Sequence, residues 1–242
     1  MSVTVVGTVL GSFATSPGAS YTLSNVQASA GDILVGWYSA IHEEEVFGTT
    51  TCTWGGTSLT KAQEGADESD PIRPDFSLWY LVVSSGGTND LTFNPAIGSS
   101  LFSPQLTVFK ITGETEVYDT SVLNVGNSST LPSSGNLSVA QADEVLLALV
   151  VGFIDIGSRS WGGSFTSLQQ TDVGDPAGGE TIIDSAYLIV SASGTYNAAM
   201  ATSPAASWRA GMIAFKPAGP GPAFLARPNL YRLQAVKRAS TW

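Results

Sequence analysis

The only histidine is the first place to look for catalysis, because imidazole near neutral pH serves as a general base or a metal ligand. His42 is followed by Glu43, Glu44 and Glu45, which indicates a charged loop after a strand. The zinc-binding pattern His-Glu-x-x-His is absent, since the chain contains no second histidine. A Ser-His-Asp triad would depend on this one residue. We therefore predict no catalytic histidine.

Carboxylates are the second candidates, because glycoside hydrolysis needs two acids that flank the scissile bond. Besides residues 43–45, one polar segment contains Glu64, Asp67, Glu68, Asp70 and Asp75, and a later one contains Asp172, Asp175 and Glu180. Two similar acidic groups are typical of solvated loops, or of a weak cation site, rather than of an acid–base pair. Loop oxygens suit calcium, but the spacing of an EF-hand loop is absent. We predict that the chain is not an enzyme and that it holds no metal or other cofactor.

Tryptophans are the third candidates, since an indole ring offers a flat apolar surface on which a sugar can stack. The chain has six, and we expect core packing to account for at least four of them. Trp79 alternates with Leu78 and Tyr80 in a strand-like segment, which predicts that one of these side chains is exposed. Trp54 and Trp161 each begin a Trp-Gly-Gly turn. The predicted glycan-stacking positions are therefore Trp79, Trp54 and Trp161.

Composition excludes several classes of protein. Hydrophobic residues make up 43% of the 242 and charged residues only 12%, which argues against a disordered chain or a coiled coil. The formal net charge of −10 argues against nucleic-acid binding, which needs clustered Lys and Arg. Cys52 is the only cysteine, so it forms no disulfide within the chain, and we interpret it as a small packed side chain.

Neither a secretory signal nor a membrane span is predicted. Residues 1–20 lack a basic start and a continuous apolar run. The longest apolar stretch, residues 145–154, is interrupted only by Gly152 and is about half of the roughly 20 residues that a spanning helix needs.

Strand patterns dominate the chain and no segment shows a helical period with caps. The predicted strands are residues 3–9, 33–38, 78–83, 91–93, 106–111, 145–153, 182–190 and 211–215. Gly, Ser, Asn, Asp and Pro separate them. Apolar residues between positions 113 and 136 predict another pair of strands in the middle of the chain.

The sequence also repeats itself. The Trp-Gly-Gly at residues 54–56 recurs at 161–163, and the Tyr-Leu-Val strand that starts at Tyr80 recurs at Tyr187, each with an offset of 107. The Gly-Asp-Ile-Leu-Val at 31–35 has a looser match at 143–147. Ordered matches at a nearly constant offset indicate an internal duplication. A repeat of this length is too long for a solenoid unit.

Two arrangements of the repeats are compatible with the sequence: two small sandwiches in tandem, or two halves of one larger sandwich. We favour a single all-β, pseudo-symmetric, jelly-roll-like sandwich in which each half supplies strands to both sheets. Its body spans residues 1–216, with the first half at about 1–113 and the second at about 114–216.

The last 26 residues differ from the body in charge. The body carries 6 basic and 20 acidic residues, or −14, whereas the tail carries 4 basic and no acidic residue, or +4. Residues 217–223 are rich in Pro and Gly, which predicts an extended linker. Residues 224–242 then form a predicted docking arm. Its candidate contact residues are Phe224, Leu225, Arg227, Leu230, Tyr231, Arg232, Leu233, Val236, Lys237, Arg238 and Trp242. Two interpretations have equal weight: the arm docks on another protein, or it packs on its own acidic body.

Over roughly residues 11–217 the chain resembles a family of β-sandwich domains found in bacteriophage virion proteins and in some bacterial surface proteins. The resemblance rests on the paired Gly-Asp-hydrophobic strand, the Trp-Gly-Gly turn, the Tyr-Leu-Val strand and the terminal Phe-Lys strand, whose two copies are at 109–110 and 215–216. It implies a structural or adhesive module and transfers no catalytic residue.

The predicted function is therefore a bacteriophage virion structural protein, specifically a capsid decoration or head-associated protein attached through its arm. It would be made in the host cytoplasm without a signal peptide. Its partners would be other virion proteins of the capsid, neck or tail, and a homo-oligomer is left open. The alternative is a carbohydrate-binding adhesin, or the receptor-binding module of a spike, fibre or tail, whose partner is a cell-surface glycan.

Overall fold

The computed structural model describes residues 4–12, 20–42, 50–65, 73–95, 101–112, 116–153, 158–174, 180–203 and 205–217. Within these ranges the chain forms seventeen β-strands and no helix, so the protein is all-β. Each of the eight predicted strands overlaps an observed one. The described residues contain no helix that is long and apolar enough to cross a membrane.

The strands fall into two consecutive sets. The first set is β1 (Thr4–Ser12), β2 (Tyr21–Ala28), β3 (Ile33–His42), β4 (Thr51–Trp54), β5 (Thr57–Ser58), β6 (Thr60–Gly65), β7 (Arg73–Val82), β8 (Gly87–Asn94) and β9 (Leu101–Thr112). The second set is β10 (Glu116–Ser129), β11 (Ser133–Val139), β12 (Val145–Phe153), β13 (Ser158–Trp161), β14 (Thr166–Gly174), β15 (Glu180–Ile189), β16 (Gly194–Ser203) and β17 (Ala206–Pro217).

Each set forms two antiparallel sheets with the same strand order. Inner sheet 1 has the order β1-β9-β3-β7-β6, and inner sheet 2 has the order β10-β17-β12-β15-β14. Outer sheet 1 has the order β2-β8-β4-β5, and outer sheet 2 has the order β11-β16-β13. Except for the two-residue strand β5, which has no counterpart among the described strands of the second set, the second set repeats the pairing of the first.

The side chains of β3 show how the sheets of the first half are stacked. Alternate residues of a strand point to opposite faces of its sheet. Ile33, Val35 and Trp37 pack among residues of both inner sheets, whereas Leu34 and Tyr38 pack toward outer sheet 1. Both faces of β3 are thus buried.

The equivalent strand β12 is buried in the same way. Val145, Leu147 and Leu149 pack against inner sheet 1, and Leu146 and Ala148 pack toward outer sheet 2. The molecule is consequently a stack of four layers, in the order outer sheet 1, inner sheet 1, inner sheet 2, outer sheet 2.

This arrangement differs from the predicted single sandwich in which each half supplies strands to both sheets. Among the described residues, every sheet takes its strands from one half only. The physical reason is visible in β12, whose residues 145–151 are all apolar and buried. A strand in a two-layer sandwich has one solvated face, so a run without polar residues requires a further layer on its other side.

A shared turn supports the looser sequence match between residues 31–35 and 143–147. Gly31 and Asp143 both have a positive φ, of 92° and 63°. Their amides donate to the carbonyls of Val83 and Val190 at 2.8 and 2.7 Å. An apparently weak match therefore corresponds to one backbone turn that is formed twice.

The contact between the inner sheets interlocks large side chains with glycines. A Cβ placed on Gly211 would lie 2.6 Å from Cζ of Phe76, and one placed on Gly65 would lie 2.4 Å from Cδ2 of Leu123. Gly65 pairs with Phe76 in inner sheet 1, and Leu123 pairs with Gly211 in inner sheet 2. Each sheet thus presents one large residue and one glycine to the other sheet.

Polar and aromatic contacts join the same two layers near this point. Tyr80 of β7 stacks on Tyr118 of β10, with ring centroids 4.7 Å apart. Nε2 of Gln63 in β6 donates to Oγ of Ser121 in β10 at 3.0 Å.

Gly36 provides a test of the correspondence between the halves. A Cβ there would meet Cys52, Leu59 and Leu91 at 3.5–3.6 Å, which is ordinary contact, and the matching position in β12 is Ala148. We expect Gly36→Ala to raise the free energy of unfolding by about 0.5–1 kcal/mol, because alanine loses less backbone entropy on folding. Gly31→Ala is the matched control and should lower it, since its φ is positive. Chemical denaturation measures both, and destabilisation by Gly36→Ala would contradict the correspondence.

Gly211→Ala tests the contact between the inner sheets. Because the new Cβ would overlap Phe76, we expect the free energy of unfolding to fall by about 1–3 kcal/mol. In a double-mutant cycle, Phe76→Leu should relieve part of this cost, which gives a coupling of at least about 0.5 kcal/mol. Strictly additive effects would show that the two residues do not pack on each other.

Candidate functional site

Several predicted positions lie outside the described residues. They include the docking arm at 224–242, most of the linker, the acidic residues 43–45 and the loop acids at 67–70. The side chains of His42, Asp75 and Glu180 lie outside them too. The structure therefore leaves these predictions as they stand.

The tryptophans are placed clearly, and two of the predicted glycan-stacking positions need correction. Trp54 and Trp79 are buried, with exposures of 4% and 6%, so neither offers an open ring face to a sugar. Trp37 and Trp208 are buried as well. The alternation around Trp79 indicated an exposed face, but β7 belongs to an inner sheet that is covered on both sides. Trp161 alone among the described tryptophans is half-buried.

Cys52 is a packed core residue, as interpreted from the sequence. It is 1% exposed, and burial raises the pKa of its thiol to about 12. A thiol with that pKa is protonated at neutral pH and is a poor nucleophile.

In the first half, the sandwich edge next to β6 is closed by contacts within the protein. Oε1 of Glu64 accepts hydrogen bonds from the hydroxyls of Thr50 and Ser77, and Nζ of Lys61 lies 2.6 Å from its Oε2. Lys61 also covers the ring of Trp79, with Nζ 5.1 Å from its centroid. These contacts satisfy the polar atoms and shield the indole.

At the equivalent edge of the second half, the same positions carry charges. Asp184 in β15 pairs with Val150, as Ser77 in β7 pairs with Tyr38. Arg159 precedes the Trp-Gly-Gly turn by two residues, as Cys52 does in the first half. A hydroxyl and a thiol in one half are thus replaced by a carboxylate and a guanidinium in the other.

Arg159 links the two layers at this edge. Its Nε lies 2.8 Å from Oδ2 of Asp184, and its Nη1 contacts Oδ1 of Asp172 in β14. Asp184 is fully buried, whereas the side chain of Asp172 is 53% exposed and that of Arg159 is 10% exposed. The three charged side chains are thus in contact in the order Asp172 at the surface, Arg159 below it and Asp184 in the interior.

Burial dominates the ionisation of Asp184. Desolvation raises its pKa from 3.8 to about 7, the charge of Arg159 opposes that rise, and the charge of Asp172 adds to it. A carboxyl that is hidden from water therefore titrates close to neutrality even though a guanidinium lies beside it.

Trp161 lies on the same face of β13 as Arg159, and its indole is held differently from that of Trp54. Trp54 pairs with Leu91, and its Nε1 donates to the carbonyl of Val26 at 3.0 Å. Trp161 pairs instead with Met200, whose matching residue in β8 is Phe93, two positions beyond Leu91. A two-residue shift keeps the side chain on the same face but moves it by about 7 Å along the neighbouring strand.

Two polar atoms at this edge lack a partner among the described residues. Nε1 of Trp161 and Oγ1 of Thr202 are buried and have no hydrogen-bond partner within the described part of the chain. Thr202 pairs directly with Arg159. Phe165 packs beside Trp161, with centroids 6.4 Å apart. Buried polar atoms are nearly always paired, so this edge is a candidate binding site, and we call it the β13–β14 edge.

The β13–β14 edge consists of Arg159, Trp161, Phe165, Asp172, Asp184 and Thr202. Sequence analysis named only Trp161 as a binding residue and Asp172 as a loop acid. Asp184 could have been noticed, since it is the one carboxylate in the largely apolar run 181–189, which implies a buried partner. Its partner Arg159 carried no such signal.

The described residues contain no group of three His, Cys, Asp or Glu side chains able to hold a metal ion. No protein-family model, curated protein or solved structure matches the chain.

The titration of Asp184 predicts a pH dependence of stability. Its pKa is higher in the folded than in the unfolded protein, so the proton favours folding. The resulting stability is complete below about pH 4 and is lost as the pH rises through 7. With about 1.4 kcal/mol per pKa unit, the loss reaches about 4 kcal/mol.

Denaturation of wild type and Asp184→Asn between pH 4 and pH 8 measures this effect, and the difference between the two proteins isolates the one carboxyl. We expect the wild type to lose stability relative to the variant across that range. Asp172→Asn serves as a comparison and should move the loss to lower pH, because it removes a like charge. A pH-independent difference between wild type and Asp184→Asn would contradict the assignment.

Proposed function

We propose that the protein is a structural component of a bacteriophage virion, a capsid decoration or head-associated protein. In this proposal its body is a duplicated, jelly-roll-like β unit that is displayed outward. Residues 224–242 form the arm that attaches it to other virion proteins.

The distribution of apolar side chains in the body supports this proposal. Both inner sheets are covered on both faces, so most of their described apolar residues are buried inside the molecule. The outer faces of the outer sheets carry hydroxyls and amides, such as the pairs Thr22–Thr92 and Ser133–Asn197. A body of this kind is well solvated and offers little apolar surface for attachment.

Large exposed hydrophobic residues are few in the described part of the chain. They are Val117, Val125, Leu131 and Ile189. The arm, by contrast, has seven apolar or aromatic anchor residues among 19 positions. The observation that carries the proposal is therefore the contrast between an apolar, cationic arm and a body that has buried its own apolar surface.

Charge adds to this contrast. The body carries −14 and the segment after residue 216 carries +4, so the arm suits an acidic partner surface. The last described residues are fixed to the body: Lys216 is paired with Asp119, and Gln141 donates to the carbonyl of Pro217. The arm would thus start from a firmly held point.

Deletion of residues 219–242 tests the proposal. Purified chain is added to phage particles that lack it, and binding is measured by co-sedimentation. We expect full-length chain to bind and the deletion to lose binding at least tenfold, because the anchors are gone. The body should keep its unfolding midpoint, because the buried clusters of the described residues already fill the space between its sheets.

A matched variant separates the contributions within the arm. Serine in place of Phe224, Leu230 and Tyr231 keeps the charge of the arm and should still lose binding. Undiminished binding of the deletion variant would overturn the proposal. A fall in the unfolding midpoint on deletion would instead show that the arm packs on its own body.

A further inference from the structure

We propose that the β13–β14 edge binds a neutral saccharide, with the Trp161 ring as its platform and Asp172 and Arg159 as ligands of its hydroxyl groups. This site is independent of the arm and adds a second function to the body. Four observations on the described residues lead to it.

The first observation is the state of Trp161. The ring is half-buried and is held on one side by Phe165 and by the core of the second half. Its indole N–H is buried and has no acceptor among the described residues. The exposed part of this indole ring offers a platform for a pyranose ring, which has an apolar face and a rim of hydroxyls.

The second observation is the charge arrangement, which selects the class of ligand. A cation entering the edge would meet Arg159, and an anion would meet both Asp172 and Asp184. A neutral polyhydroxyl ligand uses both charges, because its hydroxyls donate to the carboxylate and accept from the guanidinium.

The third observation is rigidity. Arg159 forms an ion pair with the buried Asp184, in which Nε lies 2.8 Å from Oδ2. Because this pair restrains the Arg159 side chain, little of its conformational entropy remains to be lost on binding. Asp172, whose side chain is largely exposed, contacts the same guanidinium from the solvent side. The edge is therefore arranged before a ligand arrives.

The fourth observation is the comparison with the first half. There the same fold closes its edge with satisfied groups and buries both Trp54 and Trp79. The fold thus does not require charges or a free indole at this place. A buried ion pair is weak as a source of stability, so folding alone does not explain why the second half retains one.

The experiment uses the full chain, displayed on beads to detect weak binding, on an array of neutral, amino and acidic oligosaccharides. We expect binding to neutral or N-acetylated pyranose oligosaccharides. Trp161→Ala should weaken it at least tenfold, and Trp161→Phe should weaken it less because part of the platform remains. Asp172→Asn should also weaken it, whereas the matched control Asp90→Asn, on outer sheet 1, should not.

Titration followed by NMR gives a readout that does not depend on loss of function. The indole N–H resonance that Trp161→Phe removes should shift when the best array ligand is added. Absence of binding by wild type, or unchanged binding by folded Trp161→Ala, would overturn the proposal. The chain lacking residues 219–242 should bind sugar as wild type does, so failure of this site and failure of the arm are separable.

Discussion

The structure depends above all on the contact between the two inner sheets. Fourteen buried apolar residues, seven from each half, form one cluster there. Each such side chain contributes about 1.5–3 kcal/mol when it is removed from water, so neither half could expose this face without a large loss of stability. The contact also explains the continuous apolar strands, the interlocked glycines Gly65 and Gly211, and the polar outer faces. The contact between the inner sheets joins the two pairs of sheets, one from each half, into a single folded unit.

Once this contact holds the body together, the edges of the two halves are free to differ. At the edge of the first half, Glu64 accepts a hydrogen bond from Thr50 and forms an ion pair with Lys61. The second half has a two-residue shift at Trp161, a buried Asp184 and an Arg159 that reaches between layers. The same strand order therefore carries two different sets of side chains at equivalent edges, and the proposed binding site lies at the edge of the second half.

Much of the secondary structure was predictable, since β-branched and aromatic runs such as Val145–Phe153 are distinctive. The repeat was visible in its Trp-Gly-Gly and Tyr-Leu-Val motifs. The number of layers was mispredicted, because strand patterns give the burial of each face but not what covers it. The candidate site was largely missed: Arg159 and Asp184 are 25 residues apart in the chain, and neither belongs to a motif.

The sequence by itself determined that the chain is all-β, where most strands lie, and that its acidic residues all precede a basic C-terminal segment rich in apolar residues. These properties follow from the pattern of polar and apolar side chains along short stretches of consecutive residues. Only the tertiary structure decided that four sheets stack in one body, that Trp54 and Trp79 are covered, and that Trp161, Arg159 and Asp172 share one edge. Those outcomes depend on strand register and on contacts between distant segments, and a two-residue shift along β16 leaves no trace in composition or spacing.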